Sequence, residues 1–225
     1  MKNPNQTQLP RRAAFTLIEL LVVIAIIGVL AALIFPALKA AKISATRAKV
    51  QTELKQLEAA IEAYKAKYGF YPPDNPGNPK LNQLFYELQG MTQKGTALET
   101  LDGQDVIQAA SVPAVFGAGV AGFVNFTREG GTDDSKVAQK FLSGLRSDQY
   151  GVLPGGVRFK ILVCPVPWPA KLGDIIPGAP GLNPWRYNSS SPVHNPKSYD
   201  LWVDVELGGK INRISNWNKH YEFVN

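Results

Sequence analysis

Along residues 15–35 apolar positions are nearly continuous. Of these 21 residues, 15 are Phe, Leu, Ile or Val, and the remainder are Thr16, Glu19, Ala25, Gly28, Ala31 and Ala32. At 1.5 Å per residue a helix of this length spans roughly 32 Å, enough to cross a bilayer core. On an insertion scale these side chains contribute roughly −5 to −9 kcal/mol, so an acid can be carried along. That acid is Glu19, the one charge in the run. An ionisable group inside an apolar helix is a functional candidate.

From residue 38 to residue 68 the pattern changes to Ala, Lys, Glu, Gln and Leu, with neither Gly nor Pro. Ile43, Val50, Leu57 and Tyr64 step by seven, as do Leu54, Ile61 and Tyr68, and together they form one stripe. Gly69 and then Pro72-Pro73 end the helix. The spacing thus predicts a helix over 15–68, roughly 80 Å long, bent or locally melted near Gly28 and Pro36. The stripe is expected to pack on the chain's own C-terminal region. A homomeric coiled coil is the competing reading, weakened by Arg47 at a seam position.

Beyond Gly69 the signals are short. Residues 81–88 read as a short helix with Leu84, Phe85 and Leu88 on one face, and 90–133 are rich in Gly and Ala without a firm period. A second helix is expected at 134–145, from an Asp at its start and the spacing of Val137, Phe141 and Leu145. Strands are expected at 157–163, 185–188 and 199–207, the last alternating through Leu201, Val203, Val205 and Leu207. Gly208-Gly209 turns that strand into 211–214. Helix first and antiparallel strands last predict an α+β fold.

Charge and cysteine change the picture little. The net charge is +6, and without residues 1–14, which hold Lys2, Arg11 and Arg12, 21 basic groups face 18 acidic ones, or +3. That is too weak to argue for nucleic acid. Lys39, Lys42, Arg47, Lys49 and Lys55 read as a solvated or subunit-facing surface, and no cluster of exposed Arg with aromatics is found to bind DNA. Cys164 is alone, so no disulfide can form within the chain, and it reads as a buried thiol.

The flanks of the apolar run specify its type. Basic residues precede it without an acid, so the leader should stay cytoplasmic and the rest should be exported. No Ala-x-Ala cleavage site occurs between Phe15 and Ala48, and the small pair Ala13-Ala14 lies before the run. With Phe15-Thr16-Leu17-Ile18-Glu19, then Gly28 and Pro36, this arrangement resembles the type IV prepilin and type II secretion pseudopilin family. The resemblance implies cleavage between Ala14 and Phe15 by a prepilin peptidase and methylation of the new α-amine of Phe15. It also implies assembly through Glu19 with copies of this chain and other pilin-like subunits on an inner-membrane platform. Ala14 departs from the Gly usual in that family. The implied organisation is a leader (1–14), a long helix (15–68, transmembrane over 15–38) and an α+β head (69–225) with a small antiparallel sheet, in a single-pass inner-membrane protein whose head lies in the periplasm or on the cell surface.

The tail adds to this. Asn183-Pro184-Trp185-Arg186-Tyr187, Tyr199-Asp200-Leu201-Trp202 and Ile214-Ser215-Asn216-Trp217 look like the C-terminal sheet of the major pseudopilins, which commonly bind calcium between their last strands. Asp200 and Asp204 are weak calcium candidates here, because Lys210 and Arg213 bring positive charge beside them. Strand alternation predicts instead that Asp200, Asp204 and Glu206 share a solvent face. No cofactor is expected.

Other motifs lead nowhere. Residues 117–122 spell G-x-G-x-x-G, but neither a helix nor an acid some 20 residues on follows, so a glycine-rich loop is expected. Ser189-Ser190-Ser191 and His194 lack a nucleophile elbow and an orienting third group. Two histidines and one cysteine make no zinc site. A structural, non-enzymatic fibre subunit is therefore expected. The rivals are a membrane-anchored adhesin or ligand-binding protein, and an enzyme held on a signal anchor.

Overall fold

The structure is a computed structural model, and it describes residues 16–128, 137–156 and 158–224. Ala14 and Phe15 lie outside the described residues. The chain divides into two compact units, Met1–Ser44 and Ala45–Asn225.

The first unit holds the start of helix α1 (Leu17–Tyr68). Its large apolar side chains, from Leu17 to Leu38, are exposed, and its most apolar stretch is long enough to cross a membrane with none of it buried. Helical backbone continues through Gly28 and Pro36, without the local melting considered above.

In the second unit α1 presents Val50, Leu54, Leu57, Ala60, Ile61 and Tyr64, all buried. The stripe therefore faces the core of its own unit rather than a coiled-coil partner. Arg47, the residue out of place in a seam, lies over the ring of Tyr221 at 3.8 Å. Gly69 closes the helix at φ 82°, its N–H donating to Lys65 O.

There follow α2 (Leu84–Gln89), β1 (Met91–Lys94), β2 (Ala97–Thr100), β3 (Val106–Gln108), α3 (Val112–Phe116) and β4 (Phe126–Thr127). A hairpin of β5 (Tyr150–Val152) and β6 (Lys160–Leu162) comes next. The chain continues with β7 (Arg186–Asn188), β8 (Asp200–Leu207), β9 (Lys210–Ser215) and β10 (Glu222–Val224). One sheet has the order β3-β2-β1-β4, antiparallel except for the β1–β4 pair; the other, β10-β9-β8-β7, is antiparallel throughout. The fold is α+β: a long N-terminal helix followed by a head of small, mainly antiparallel sheets. Trp185, Tyr64, Tyr86, Tyr187 and Phe159 are the bulkiest fully buried side chains.

Two expectations fail. Of the helix expected at 134–145, residues 134–136 lie outside the described residues and 137–145 are not helical: Phe141 and Leu142 donate their N–H groups to Leu88 O, and Ala138 to Thr127 Oγ1. Backbone amides bound to other elements cannot build a helical ladder. Asp200 and Asp204 do not share a solvent face with Glu206; they are 2% and 6% exposed, because β8 lies inside its sheet and is covered on both faces.

Candidate functional site

Thr16 is the residue before α1, and Glu19 is the third residue within it. Glu19 Oε2 accepts from Thr16 N at 2.8 Å and from Thr16 Oγ1 at 2.7 Å, while Glu19 N donates to Thr16 Oγ1 at 3.3 Å. This is a capping box, T-x-x-E, in which each side chain serves the other's backbone at an end that has no helical partners. The signal was present in the sequence, masked by reading the run for hydrophobicity alone. The carboxylate is consequently turned back toward the start of the helix. Gly28 and Pro36 lie further along α1, and a Cβ placed on Gly28 would meet no atom within 4 Å.

Asp200 and Asp204, the calcium candidates, are each engaged within the protein. Asp200 accepts from the backbone N–H groups of Val193, His194 and Asn195 at 2.8–2.9 Å, which ties the loop before β8. Asp204 receives Arg213 Nε at 2.7 Å and Nη2 at 3.0 Å, a two-point contact, with Arg186 Nη2 at 3.6 Å. The carboxylate holds the guanidinium of Arg213 above its ordinary range, while burial pushes Arg186 down. Glu206 pairs with Lys171 instead. Among the described residues no group of three His, Cys, Asp or Glu converges as a metal site.

The other motifs have structural partners. Ser189 N, Ser190 N and Ser190 Oγ donate to Asp74 Oδ2, and His194 stacks on Trp217 at 4.0 Å, so serine and imidazole do not meet. Gly117 ends α3. Cys164 is buried and its thiol is pushed up to about 12 by desolvation.

Sequence reading missed two buried carboxylates. Glu53, on the buried face of α1, accepts from Trp185 Nε1 at 2.7 Å. Glu87 accepts from Tyr64 Oη, Val124 N and Asn125 N at 2.8–3.0 Å. Burial raises both to about 7. Glu53 lies three residues past Val50 and four before Leu57, so its place on the stripe was readable from spacing.

Comparison with known proteins adds to this geometry at the N-terminus. The model for the prokaryotic N-terminal methylation motif matches residues 9–35. Type II secretion system core protein G of Klebsiella pneumoniae is 45% identical over 67 residues, covering 30% of this chain and 48% of that protein. Its counterparts in Escherichia coli (strain K12) and Vibrio cholerae are 42% and 36% identical over 67 residues, each with 30% of this chain and 46% of the relative. The chain spans about half the length of the curated relatives it matches. No solved structure matches it. The chain therefore carries a prepilin-type N-terminal methylation motif, and its N-terminal region is similar to that of type II secretion system core protein G, a major pseudopilin.

Proposed function

We propose that this protein is a structural subunit of a type II secretion pseudopilus, made as a membrane-anchored precursor and polymerised through its N-terminal helix. One observation carries the reading: the methylation motif at 9–35 opens a helix whose large apolar side chains from Leu17 to Leu38 are exposed among the described residues. Such a surface needs lipid before assembly and neighbouring helices afterwards.

In this reading a prepilin peptidase cuts between Ala14 and Phe15, and the new α-amine of Phe15 is methylated. The precursor sits in the inner membrane with its head outside the cytoplasm, and the assembly platform draws it into the fibre with like subunits. A carboxylate leaving the membrane edge for a packed core needs a positive partner, since a lone buried charge is costly. Glu19 supplies the negative group and the amine of Phe15 on a neighbouring subunit the positive one. Gly28 and Pro36 are where the helix bends or loosens as it packs. No catalytic role is assigned to any residue.

Mass spectrometry of protein from cells with an active prepilin peptidase tests the proposal. The mature chain should begin at methylated Phe15; an intact leader on the fibre-associated protein would overturn the reading.

A further inference from the structure

Residues 143–149, which lead into β5, are tied to α1 by side chains. Lys49 Nζ donates to Asp148 Oδ2 at 2.9 Å, and Gln149 Nε2 donates to Gln56 Oε1 at 3.3 Å. The segment is also closed on itself: Arg146 N donates to Gln149 Oε1 and Gln149 N to Arg146 O, both at 3.0 Å. A movement of Arg146 is therefore felt at Gln149 and at α1.

Glu53 stands on α1 between Lys49 and Gln56. Its Oε1 has Trp185 Nε1, but its Oε2 is buried without a hydrogen-bond partner. A neutral carboxyl tolerates such a place, whereas an ionised one calls for a cation. Arg146 is that cation. Its Nη2 lies 4.0 Å from Glu53 Oε2, just beyond hydrogen-bond distance, and its side chain is half exposed and free to move. At present Arg146 Nε is held by Asp148 Oδ1 at 3.1 Å. Asp148 has Lys49 as a second cation, so it keeps a partner if Arg146 leaves. Burial is the largest influence on Glu53 and raises it; Arg146 opposes that rise and Asp148 adds to it. The strands contribute groups without charge: Cys164, which follows β6 and whose thiol is pushed up by burial, and Trp185, which precedes β7.

We propose that Glu53 and Arg146 form a pH-dependent latch: when Glu53 gives its proton to solvent, the Arg146 guanidinium moves by about 1 Å and donates Nη2–H to Glu53 Oε2. Residues 143–149 are then fastened to α1 through Glu53 as well as through Lys49 and Gln56. The latch lies within the second unit and is independent of fibre assembly.

The full-length protein in detergent micelles, labelled with 5-fluorotryptophan, tests it by fluorine NMR. The Trp185 signal, assigned by single Trp→Phe substitutions, should shift with one midpoint near pH 7 as Glu53 titrates. In Arg146→Gln the midpoint should rise by about one pH unit, because the ionised form loses its donor. A fixed cation would give the same rise, so the movement is read separately. Arginine side-chain NMR should show rotation of the Arg146 guanidinium about Nε–Cζ slowing severalfold from pH 5 to pH 9. Asp148 is held low and stays ionised across that range, so its contact does not change. In Glu53→Gln, which keeps the shape without the charge, rotation should be the same at both pH values. A Trp185 signal without a transition, an unchanged midpoint in Arg146→Gln, or equal rotation at both pH values in the wild type would overturn the proposal. So would a slowing that persists in Glu53→Gln, which would assign it to a group other than Glu53.

Discussion

The indole N–H of Trp185 donates to Oε1 of Glu53 across 2.7 Å, joining the long helix to the residue that leads into β7. The two are 132 residues apart in sequence and both are buried. Trp185 Nε1 has a buried acceptor, and Glu53 remains a carboxyl in an apolar setting. Removing either partner leaves the other buried without its match. Trp185→Phe should destabilise the head by about 1–3 kcal/mol, as measured by urea unfolding, whereas Glu53→Gln, which keeps an acceptor, should cost less. Equal losses from the two changes would show that the hydrogen bond contributes nothing of its own.

Stability should also depend on pH. Glu53 and Glu87 are raised from 4.5 to about 7 in the folded protein. Between those values the folded state holds protons that the unfolded chain has lost, so stability falls as pH rises. The loss is on the order of 3 kcal/mol per group and is complete above about pH 7. Asp102 and Asp148 are lowered below 3.8, so their opposite contribution is already in place throughout that window. Urea midpoints at pH 5 and pH 7.5 should differ accordingly, with a smaller difference in Glu53→Gln. An unchanged pH slope in that variant would remove Glu53 from the account.

At the N-terminus Glu19→Ala should leave membrane insertion intact or improve it, because an acid is taken out of an apolar helix. Fibre yield should collapse. Thr16→Val separates the two roles of the carboxylate, since it removes the cap hydroxyl, at about 1 kcal/mol, and keeps the charge. It should therefore assemble nearly as well as the wild type. If both variants lose fibres equally, the helix cap and not the intersubunit charge is what assembly requires.

A chain beginning at Lys39 should be a soluble, folded monomer by sedimentation. Leu57 is 2% exposed within its own unit, so Leu57→Ala should lower stability by about 2–5 kcal/mol without changing the oligomeric state. A dimer or trimer that dissociates on the same substitution would restore the coiled coil.

Calcium should have no effect on the melting of that head. A site filled at a hundredfold excess over Kd would add about 2.7 kcal/mol, which is several degrees. Melting curves in millimolar calcium and in EDTA should coincide. Asp200→Ala should lower the melting temperature equally in both, through the lost acceptor for the amides of residues 193–195. A rise in calcium that disappears in Asp204→Ala would establish a metal site.

The long elements could be read from residue patterns, because each repeats its signal many times. The stripe from Val50 to Tyr64 and the alternation from Leu201 to Leu207 both face the core. Strands β1 to β3 could not, being three or four residues long and carrying polar runs such as Thr92-Gln93-Lys94. Nor could residues 137–145, whose amides are held by Leu88 O of α2 and by the side chains of Asn125 and Thr127. The alternation in β8 gave the right strand and the wrong exposure for its acids, since nothing in one strand states what covers its second face. The apolar helix was plain from composition, yet the contact between Thr16 and Glu19 depended on reading four residues for their end chemistry.

Strand register sets Arg213 directly opposite Asp204. The countercharge of Asp204 is thus a covalently tethered cation, and its effective concentration is fixed by the pairing of two strands rather than by the surrounding solution. Dilution cannot remove it and a chelator cannot extract it. A hairpin balanced in this way should keep the same electrostatic balance in a metal-poor medium as in a metal-rich one.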